Sequence, residues 1–281
     1  MISERDMMHD GESASGGAIA IIMVWKLMQL AAVLCLLFLL TPGLLAQSRM
    51  TEAGGAWRGW EELVKPSVVY ATITGDTAAY DGWGSPRREV GTFAQGETVE
   101  VVRDYNYQWY QVRADDGREG WVPVDKLAIP ADPETNVERL PVELVEAFVN
   151  MQGFTSKTDQ LVWVDIDRQL TYVFVGQAGN WTLVRTMPCA TGKNVSPTLR
   201  GLHETAERGE WFFAERFGEG AENWVQFSGP YLFHSLPMDR HRTIVDYTLG
   251  ERRSAGCVRL SMEDSHWFYS FIKRGSTVFV N

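Results

Sequence analysis

Ser254-Ala255-Gly256-Cys257-Val258-Arg259 is a short run that places a cysteine directly after a glycine. Upstream, His234 closes the apolar run Tyr231-Leu232-Phe233. A cysteine reacts as its thiolate, so a catalytic thiol needs a base or a cation beside it. An apolar strand ending in a histidine holds the imidazole in a fixed place. The two runs together therefore predict a Cys257 nucleophile with His234 as its general base.

The neighbouring residues complete a candidate acyl-transfer site. The backbone carbonyl of Ser235 can fix the imidazole tautomer by accepting its N–H, which is a main-chain variant of the catalytic triad. Gly256 lets a substrate approach the backbone, and the amides of Gly256 and Cys257 can stabilise an oxyanion. Ser254 is expected to brace the turn and to contact the substrate. Arg259 shares the side of Cys257 if the segment is extended, and it can bind a substrate carboxylate.

Short strands surround this site. A predicted hairpin pairs residues 161–165 with 170–175, and further strands are expected at 181–186, 210–214, 224–227 and 231–234. Ser261 followed by Asp264 is typical of a helix N-cap, and it predicts a helix directly after the cysteine. Gly275 ends that helix, and residues 277–280 read as a final strand.

Residues 66–130 have a different pattern, with strands predicted at 68–74, 98–103, 109–113 and 119–122. Alternating apolar and polar residues with turn signals every ten residues or so indicate a small antiparallel barrel. A connector, 131–159, follows the barrel. It contains a predicted packing helix whose apolar face carries Leu144, Val145, Phe148 and Val149.

The N-terminal segment reads as a leader. Residues 19–41 are almost entirely apolar, which suits the core of a signal peptide or, with Lys26 reaching the interface, an uncleaved membrane anchor. The acidic residues before this stretch are unusual for a signal peptide, so we predict that the natural start is Met23. We expect residues 1–46 to export the protein and residues 47–65 to be a linker.

Composition excludes several classes of function. The chain has 36 acidic and 26 basic side chains and a formal net charge of −10, whereas a general nucleic-acid-binding protein needs a basic face. The three cysteines are too few for a disulfide framework, and no spacing is typical of a metal site or a phosphate-binding loop. We therefore expect no cofactor and no metal. Cys35 lies in the leader, and Cys189 either fills a core position or masks Cys257 in a disulfide.

The runs 231–235, 249–250 and 254–264 resemble the catalytic domain of the L,D-transpeptidases (YkuD-like), over residues 160–281, and residues 189–198 resemble a strand and turn of the same family. The resemblance implies a β-rich fold, peptidoglycan stem peptides as substrate and carbapenem-type inhibitors. It implies that a thiolate attacks an L,D amide bond, that D-alanine leaves, and that the amine of a neighbouring stem peptide resolves the thioester. The roles it carries over are nucleophile for Cys257, base for His234, orienter for Ser235, and oxyanion donors for Gly256 and Cys257.

Two departures from the family pattern stand out. Ala255 occupies the position where the family usually has histidine, which is expected to alter substrate contacts or the pKa of the thiol. Residues 239–251 form an insertion that carries Arg240, His241 and Arg242. This insertion is either a basic flap over an acidic substrate or a solvated loop.

The runs 96–101, 109–112 and 120–122 resemble bacterial SH3-like domains. This resemblance implies an accessory module that binds cell-wall material or peptide; the alternative is a spacer with exposed aromatic residues.

The expected fold is mainly β: a leader helix, a small SH3-like barrel, and a β-rich L,D-transpeptidase domain with a short helix after the cysteine. The expected function is cross-linking of peptidoglycan through a cysteine thioester, in the cell wall or periplasm. Two alternatives remain open: an L,D-carboxypeptidase or peptidase that uses the same thiol with water as acceptor, and a non-catalytic wall-binding protein.

Overall fold

The computed structural model describes residues 63–281. The leader predicted at 1–46 and nearly all of the linker predicted at 47–65 lie outside the described residues. Within the described part of the chain, no helix has the length and apolar character needed to cross a membrane.

The first sheet is antiparallel and has seven strands in the order β3-β2-β6-β5-β4-β1-β7. Its members are β1 (Tyr70–Ile73), β2 (Thr77–Tyr80), β3 (Glu89–Phe93), β4 (Thr98–Tyr105), β5 (Trp109–Arg113), β6 (Glu119–Pro123) and β7 (Leu127–Ala128). Alternation along β4 buries Val99 and Val101 in a core shared with Val112. A short 3-10 helix, Val124–Lys126, leads into β7. The antiparallel architecture predicted for this region is confirmed, although β2, β3 and β7 were not anticipated.

The second sheet is mixed and has nine strands in the order β11-β16-β8-β9-β10-β15-β14-β13-β12. Its members are β8 (Gln160–Asp165), β9 (Leu170–Gln177), β10 (Asn180–Ala190), β11 (Gly201–Glu204), β12 (Arg208–Ala214), β13 (Glu219–Ser228), β14 (Tyr231–His234), β15 (Val258–Leu260) and β16 (Thr277–Val280). Two of its pairings are parallel, β16 with β8 and β14 with β15. The strands predicted at 231–234 and 277–280 have the observed bounds.

Two helices cover this second sheet. Helix α1 (Val142–Met151) packs Phe148 on Trp163 of β8, with ring centroids 4.7 Å apart. Helix α2 (Met262–Phe271) lies in the core that contains Val162 and Val164, on the other face of the same strand. The period of two along β8 therefore gives each helix its own apolar surface, and all six residues of the strand are buried.

The predicted N-cap of α2 is confirmed. The Ser261 hydroxyl accepts a hydrogen bond from the Asp264 N–H at 3.0 Å, which satisfies an amide that the helix leaves unpaired. Such a cap contributes about 1 kcal/mol to stability. The helix anchors the core beneath the candidate site, since its Phe268 ring lies 4.5 Å from that of Phe233 in β14.

Candidate active site

The parallel pair β14 and β15 brings the predicted nucleophile and base to one face of the sheet. Phe233 pairs with Val258 and His234 pairs with Arg259. Phe233 and Val258 lie in the hydrophobic core, so alternation places His234 and Arg259 on the opposite face. The same alternation, continued one residue back from β15, places Cys257 on that face too. The register thus joins two residues that are far apart in the chain.

His234 is held in one tautomer. Its Nδ1 lies 2.7 Å from the carbonyl oxygen of Ser235, and because a carbonyl only accepts, Nδ1 carries the proton and Nε2 is left as the acceptor. The Ser235 backbone is itself fixed, because its N–H donates to the Glu222 carbonyl at 3.0 Å and its hydroxyl accepts from the Glu222 N–H at 2.9 Å. Burial lowers the pKa of His234 to about 4. The imidazole is therefore neutral at physiological pH and able to take a proton.

Cys257 is a free, half-buried thiol whose Sγ lies 3.9 Å from the carbonyl oxygen of Pro230. Burial raises the pKa of the Cys257 thiol to about 11, against the opposing effects of the Leu232 backbone and the Arg259 charge. Both members of the pair therefore favour their neutral forms. The resting site holds a thiol and a neutral imidazole, not a preformed ion pair.

The turn before the cysteine is braced by Ser254. Its hydroxyl donates to the Cys257 carbonyl at 2.5 Å and accepts from the Gly256 N–H at 3.1 Å. The predicted bracing role is confirmed. The predicted substrate contact of Ser254 stays a prediction; in this structure the side chain is buried and both of its bonds stay within the turn. The Gly256 N–H already donates to the Ser254 hydroxyl, so it can donate to a substrate oxygen only after that hydrogen bond breaks.

Gly256 is required by both conformation and space. Its φ of +98° is a region that side chains with a Cβ rarely adopt. A Cβ built there would lie 2.5 Å from Cε1 of Tyr231, a ring that is itself buried. The glycine therefore lets the catalytic turn close against the Tyr231 ring.

Gly256→Ala is expected to lower the free energy of unfolding by about 2–4 kcal/mol, because it adds a steric clash to a strained backbone. Gly250→Ala is the matched control, since Gly250 has a similar φ of +85° but nothing within 4 Å of its Cβ position. We expect about 1–2 kcal/mol for the control. Urea unfolding of both variants measures the difference, and equal losses would show that Tyr231 moves aside freely.

Arg259 binds carboxylates of its own chain. Its guanidinium lies 3.0 Å from Asp246 and 3.4 Å from Glu219. Its Nε is buried and has no hydrogen-bond partner among residues 63–281. Asp246 belongs to the 239–251 insertion, and the predicted contact of Arg259 with a substrate carboxylate stays a prediction. Arg259 ties this insertion to the catalytic strand.

The basic residues of the insertion are also paired. Arg240 contacts Glu215, and Arg242 lies 3.0 Å from Glu222. The loop is held at its start as well, because Met238 exchanges backbone hydrogen bonds with Gly220. The two arginines therefore stabilise the loop on the sheet and do not stand free for an acidic substrate.

A second loop, residues 192–198, supports the catalytic turn from the other side. The Lys193 N–H donates to the Ser254 carbonyl at 3.1 Å, and the Pro197 carbonyl lies 3.4 Å from the Cβ position of Gly256. Sequence reasoning missed this support and the packing of Tyr231 on the turn. No local signal reveals either contact, since both join residues that are distant in sequence.

Cys189 fills a core position, as one of the two sequence interpretations predicted. It lies in β10 opposite Leu260, it is fully buried, and it is a free thiol. Burial raises the pKa of Cys189 to about 12, so this thiol is not a competing nucleophile. Within the described residues, no group of three or more His, Cys, Asp or Glu side chains is placed to hold a metal ion.

Two family models and one relative of known name match parts of this chain. Residues 159–280 match the family model of the L,D-transpeptidase catalytic domain (YkuD), and residues 87–128 match that of the bacterial SH3 domain. The chain is 32% identical over 127 residues to Bacillus subtilis YciB, which is named as a candidate L,D-transpeptidase. That match covers 43% of this chain and 66% of the relative, just under two thirds of its length.

Two of the solved structures that match part of this chain have TM-scores below 0.5. A fused Zn-dependent amidase/peptidase/peptidoglycan-binding domain-containing protein from Clostridium acetobutylicum has 25% identity and a TM-score of 0.43, covering 52% of this chain and 66% of that one. The L,D-transpeptidase LdtMt1, solved in complex with imipenem, has 14% identity and a TM-score of 0.36, covering 81% of this chain and 88% of that one. The two family models identify the domains of the described chain: residues 159–280 match the L,D-transpeptidase catalytic domain (YkuD), and the match to the bacterial SH3 domain precedes them.

Proposed function

We propose that this protein cross-links peptidoglycan as a cysteine-dependent L,D-transpeptidase. The observation that carries the proposal is the pairing of β14 with β15, whose alternation puts Cys257 on the face that carries His234, and the Nδ1 of His234 lies 2.7 Å from the Ser235 carbonyl oxygen. The substrate lies outside the cytoplasm, which agrees with the export that the N-terminal sequence predicts.

In the proposed acylation, the thiol and the imidazole act together. His234 Nε2 takes the proton from Cys257 as Sγ forms a bond to the carbonyl carbon of an L,D amide bond in the stem peptide. The resulting oxyanion accepts a hydrogen bond from the Cys257 amide. The Gly256 amide joins it when Ser254 releases that N–H, and each such donor contributes about 3–4 kcal/mol to transition-state stabilisation.

The tetrahedral adduct then collapses to a thioester. The C–N bond breaks, and the imidazolium of His234 returns its proton to the nitrogen of the departing D-alanine. An amine of a second stem peptide attacks the thioester, His234 takes a proton from that amine, and the thiol is regenerated with its proton. Each proton that leaves the thiol or the amine passes through the His234 imidazole, and the proposed steps use no cofactor.

A muropeptide carrying a tetrapeptide stem tests this proposal directly. The protein is incubated with the muropeptide, and the products are separated by liquid chromatography and identified by mass. Cross-linked dimer with release of D-alanine is the expected result. Tripeptide without dimer would replace the proposal by an L,D-carboxypeptidase that uses the same thiol, and the absence of turnover would leave a wall-binding protein.

A further inference from the structure

An unusual turn of the SH3 domain lies at the border with the catalytic domain. The β4–β5 hairpin closes with Asn106 and Tyr107, at φ of 58° and 56°, and Gln108 N–H donates to the Tyr105 carbonyl at 3.1 Å. Two consecutive positive φ values define a type I′ turn, whose second central position favours glycine. A bulky aromatic residue there is strained, and such strain is concentrated at functional sites. The strained position of Tyr107 therefore directs attention to the contacts of its side chain.

The hairpin docks on the loop that supports the catalytic turn. Trp83 stacks on Tyr105 with ring centroids 3.4 Å apart. Asp104 accepts a hydrogen bond from the Ser196 hydroxyl at 2.5 Å, and the Tyr110 hydroxyl donates to the Val195 carbonyl at 2.9 Å. These contacts fix the hairpin against residues 192–198, directly beside the Gly256 turn.

The Tyr107 ring faces the catalytic domain from this position. The guanidinium of Arg216, in the β12–β13 turn, lies over this ring. Its Cζ is 5.5 Å from the centroid of the Tyr107 ring. Burial and then the Asp104 carboxylate raise the pKa of the Tyr107 phenol, whereas the charge of Arg216, a hydrogen bond with Ser196 and the charge of Arg259 oppose the rise. The ring is still 40% exposed, so a ligand can contact it.

Arg216 differs from the other arginines around the site. Arg240, Arg242, Arg253 and Arg259 each contact a carboxylate of this chain. Arg216 is exposed, and among residues 63–281 it makes ring contacts, to Tyr107 and to Phe217, but no ion pair. A guanidinium held on an aromatic face and lacking a carboxylate partner is suited to bind one from a ligand.

We propose that Tyr107 of the SH3 domain and Arg216 of the catalytic domain together form a subsite for the stem peptide, with Arg216 binding a stem carboxylate and Tyr107 packing against the peptide. This inference rests on the proposed function for the identity of the ligand. The SH3 domain is then a wall of the substrate cleft and not a separate binding module. The two hairpin tips, one from each domain, select a substrate that offers a carboxylate beside an extended peptide.

Binding of a tetrapeptide muropeptide to full-length protein with Cys257→Ala tests the subsite without turnover, by isothermal titration calorimetry. We expect Tyr107→Gly and Arg216→Gln each to weaken binding about tenfold. Asn106→Gly is the matched control for the turn, and Arg240→Gln is the matched control for an exposed arginine; each should bind within about twofold of the parent. Urea unfolding should show Tyr107→Gly to be at least as stable as the parent, because glycine relieves the positive φ.

The outcomes separate this inference from the proposed function. Equal binding by Tyr107→Gly, Arg216→Gln and the two controls would overturn the subsite, even if the unmodified protein forms cross-links. Weakened binding by the two test variants would support the subsite even if the unmodified protein proved to be a carboxypeptidase. A parent that binds no muropeptide would overturn the subsite together with the substrate on which it rests.

A probe with an amidated C-terminus identifies the carboxylate. If Arg216 binds the C-terminal carboxylate, amidation weakens binding to the parent about tenfold and has no further effect on Arg216→Gln. If Arg216 binds a stem carboxylate other than the C-terminal one, amidation changes the affinity of the parent and of the Arg216→Gln variant equally. Either pattern supports an ion pair with the substrate, provided that Arg216→Gln lowers the affinity for the unmodified probe.

Discussion

Cys257→Ala is expected to abolish acyl transfer and to abolish the mass adduct with a carbapenem. The alanine has no lone pair that can attack a carbonyl carbon, and no other described thiol faces the site. Removing the nucleophile lowers the rate of acyl transfer at least about 10³-fold, because the general base and the oxyanion donors act only while the thiol sulfur forms its bond to the carbonyl carbon. Loss of turnover and of the adduct, measured by chromatography and intact mass, is the expected pair of results.

Cys189→Ala is the matched control for the loss of a thiol. Cys189 is fully buried in β10 with its pKa raised by burial, so alanine there should lower stability but leave the carbapenem adduct in place. Urea unfolding should show Cys257→Ala to be close to the parent in stability, because Cys257 is only half-buried. An adduct that persists in Cys257→Ala would refute the assignment of the nucleophile.

The parts of the fold that sequence predicts well are those that local chemistry determines. Ser261 and Asp264 form a capping pair within one helical turn, so these four consecutive positions are enough to predict where α2 begins. Residues 231–234 form a short apolar run bounded by a turn and a polar residue, and β14 has the same bounds. In both cases the interacting groups are neighbours in the chain.

The parts that sequence did not predict depend on partners elsewhere. Strands β2, β3 and β11 are short and have few buried residues, so their weak alternation gives little signal before a neighbouring strand pairs with them. Arg259 was expected to bind a substrate carboxylate because it shares the side of Cys257 in an extended segment, and its partner in this structure could not be predicted from the sequence. Asp246 is that partner, and it lies in the 239–251 insertion, thirteen residues before Arg259.

The residues of the candidate site likewise fall into those that the sequence predicts and those that it does not. The sequence predicts Cys257 and His234 as a catalytic pair, because the residue types themselves carry the chemistry and because the run around the cysteine resembles a known family. The role of Tyr107 could not be found in this way, since the pattern of residues 98–113 predicts only a hairpin. Its proposed role depends on the docking of the SH3 hairpin on residues 192–198, which the structure alone supplies.

His234→Gln is expected to lower the rate of acylation by a carbapenem about 10²–10⁴-fold at neutral pH. The loss reflects removal of the general base, which alone makes a thiol of high pKa reactive. With the pKa of Cys257 near 11, only about 10⁻⁴ of the thiol is ionised at pH 7. His203→Gln is the matched control, because His203 lies in β11 with its ring against Phe227 and takes no part in the site.

The pH dependence of acylation distinguishes loss of a base from a mere change of shape. In the parent, the reactive form has a neutral His234 and a protonated Cys257. Its rate should therefore be flat between about pH 5 and pH 9 and should fall as the pH drops through about 4, where His234 gains a proton. In His234→Gln only the free thiolate reacts, so the rate should rise about tenfold for each pH unit up to about 11.

Stopped-flow or mass-resolved acylation rates across this range measure both slopes. A flat profile in His234→Gln would assign the base to another group, and a parent profile that rises through pH 5–9 would show that His234 does not take the thiol proton.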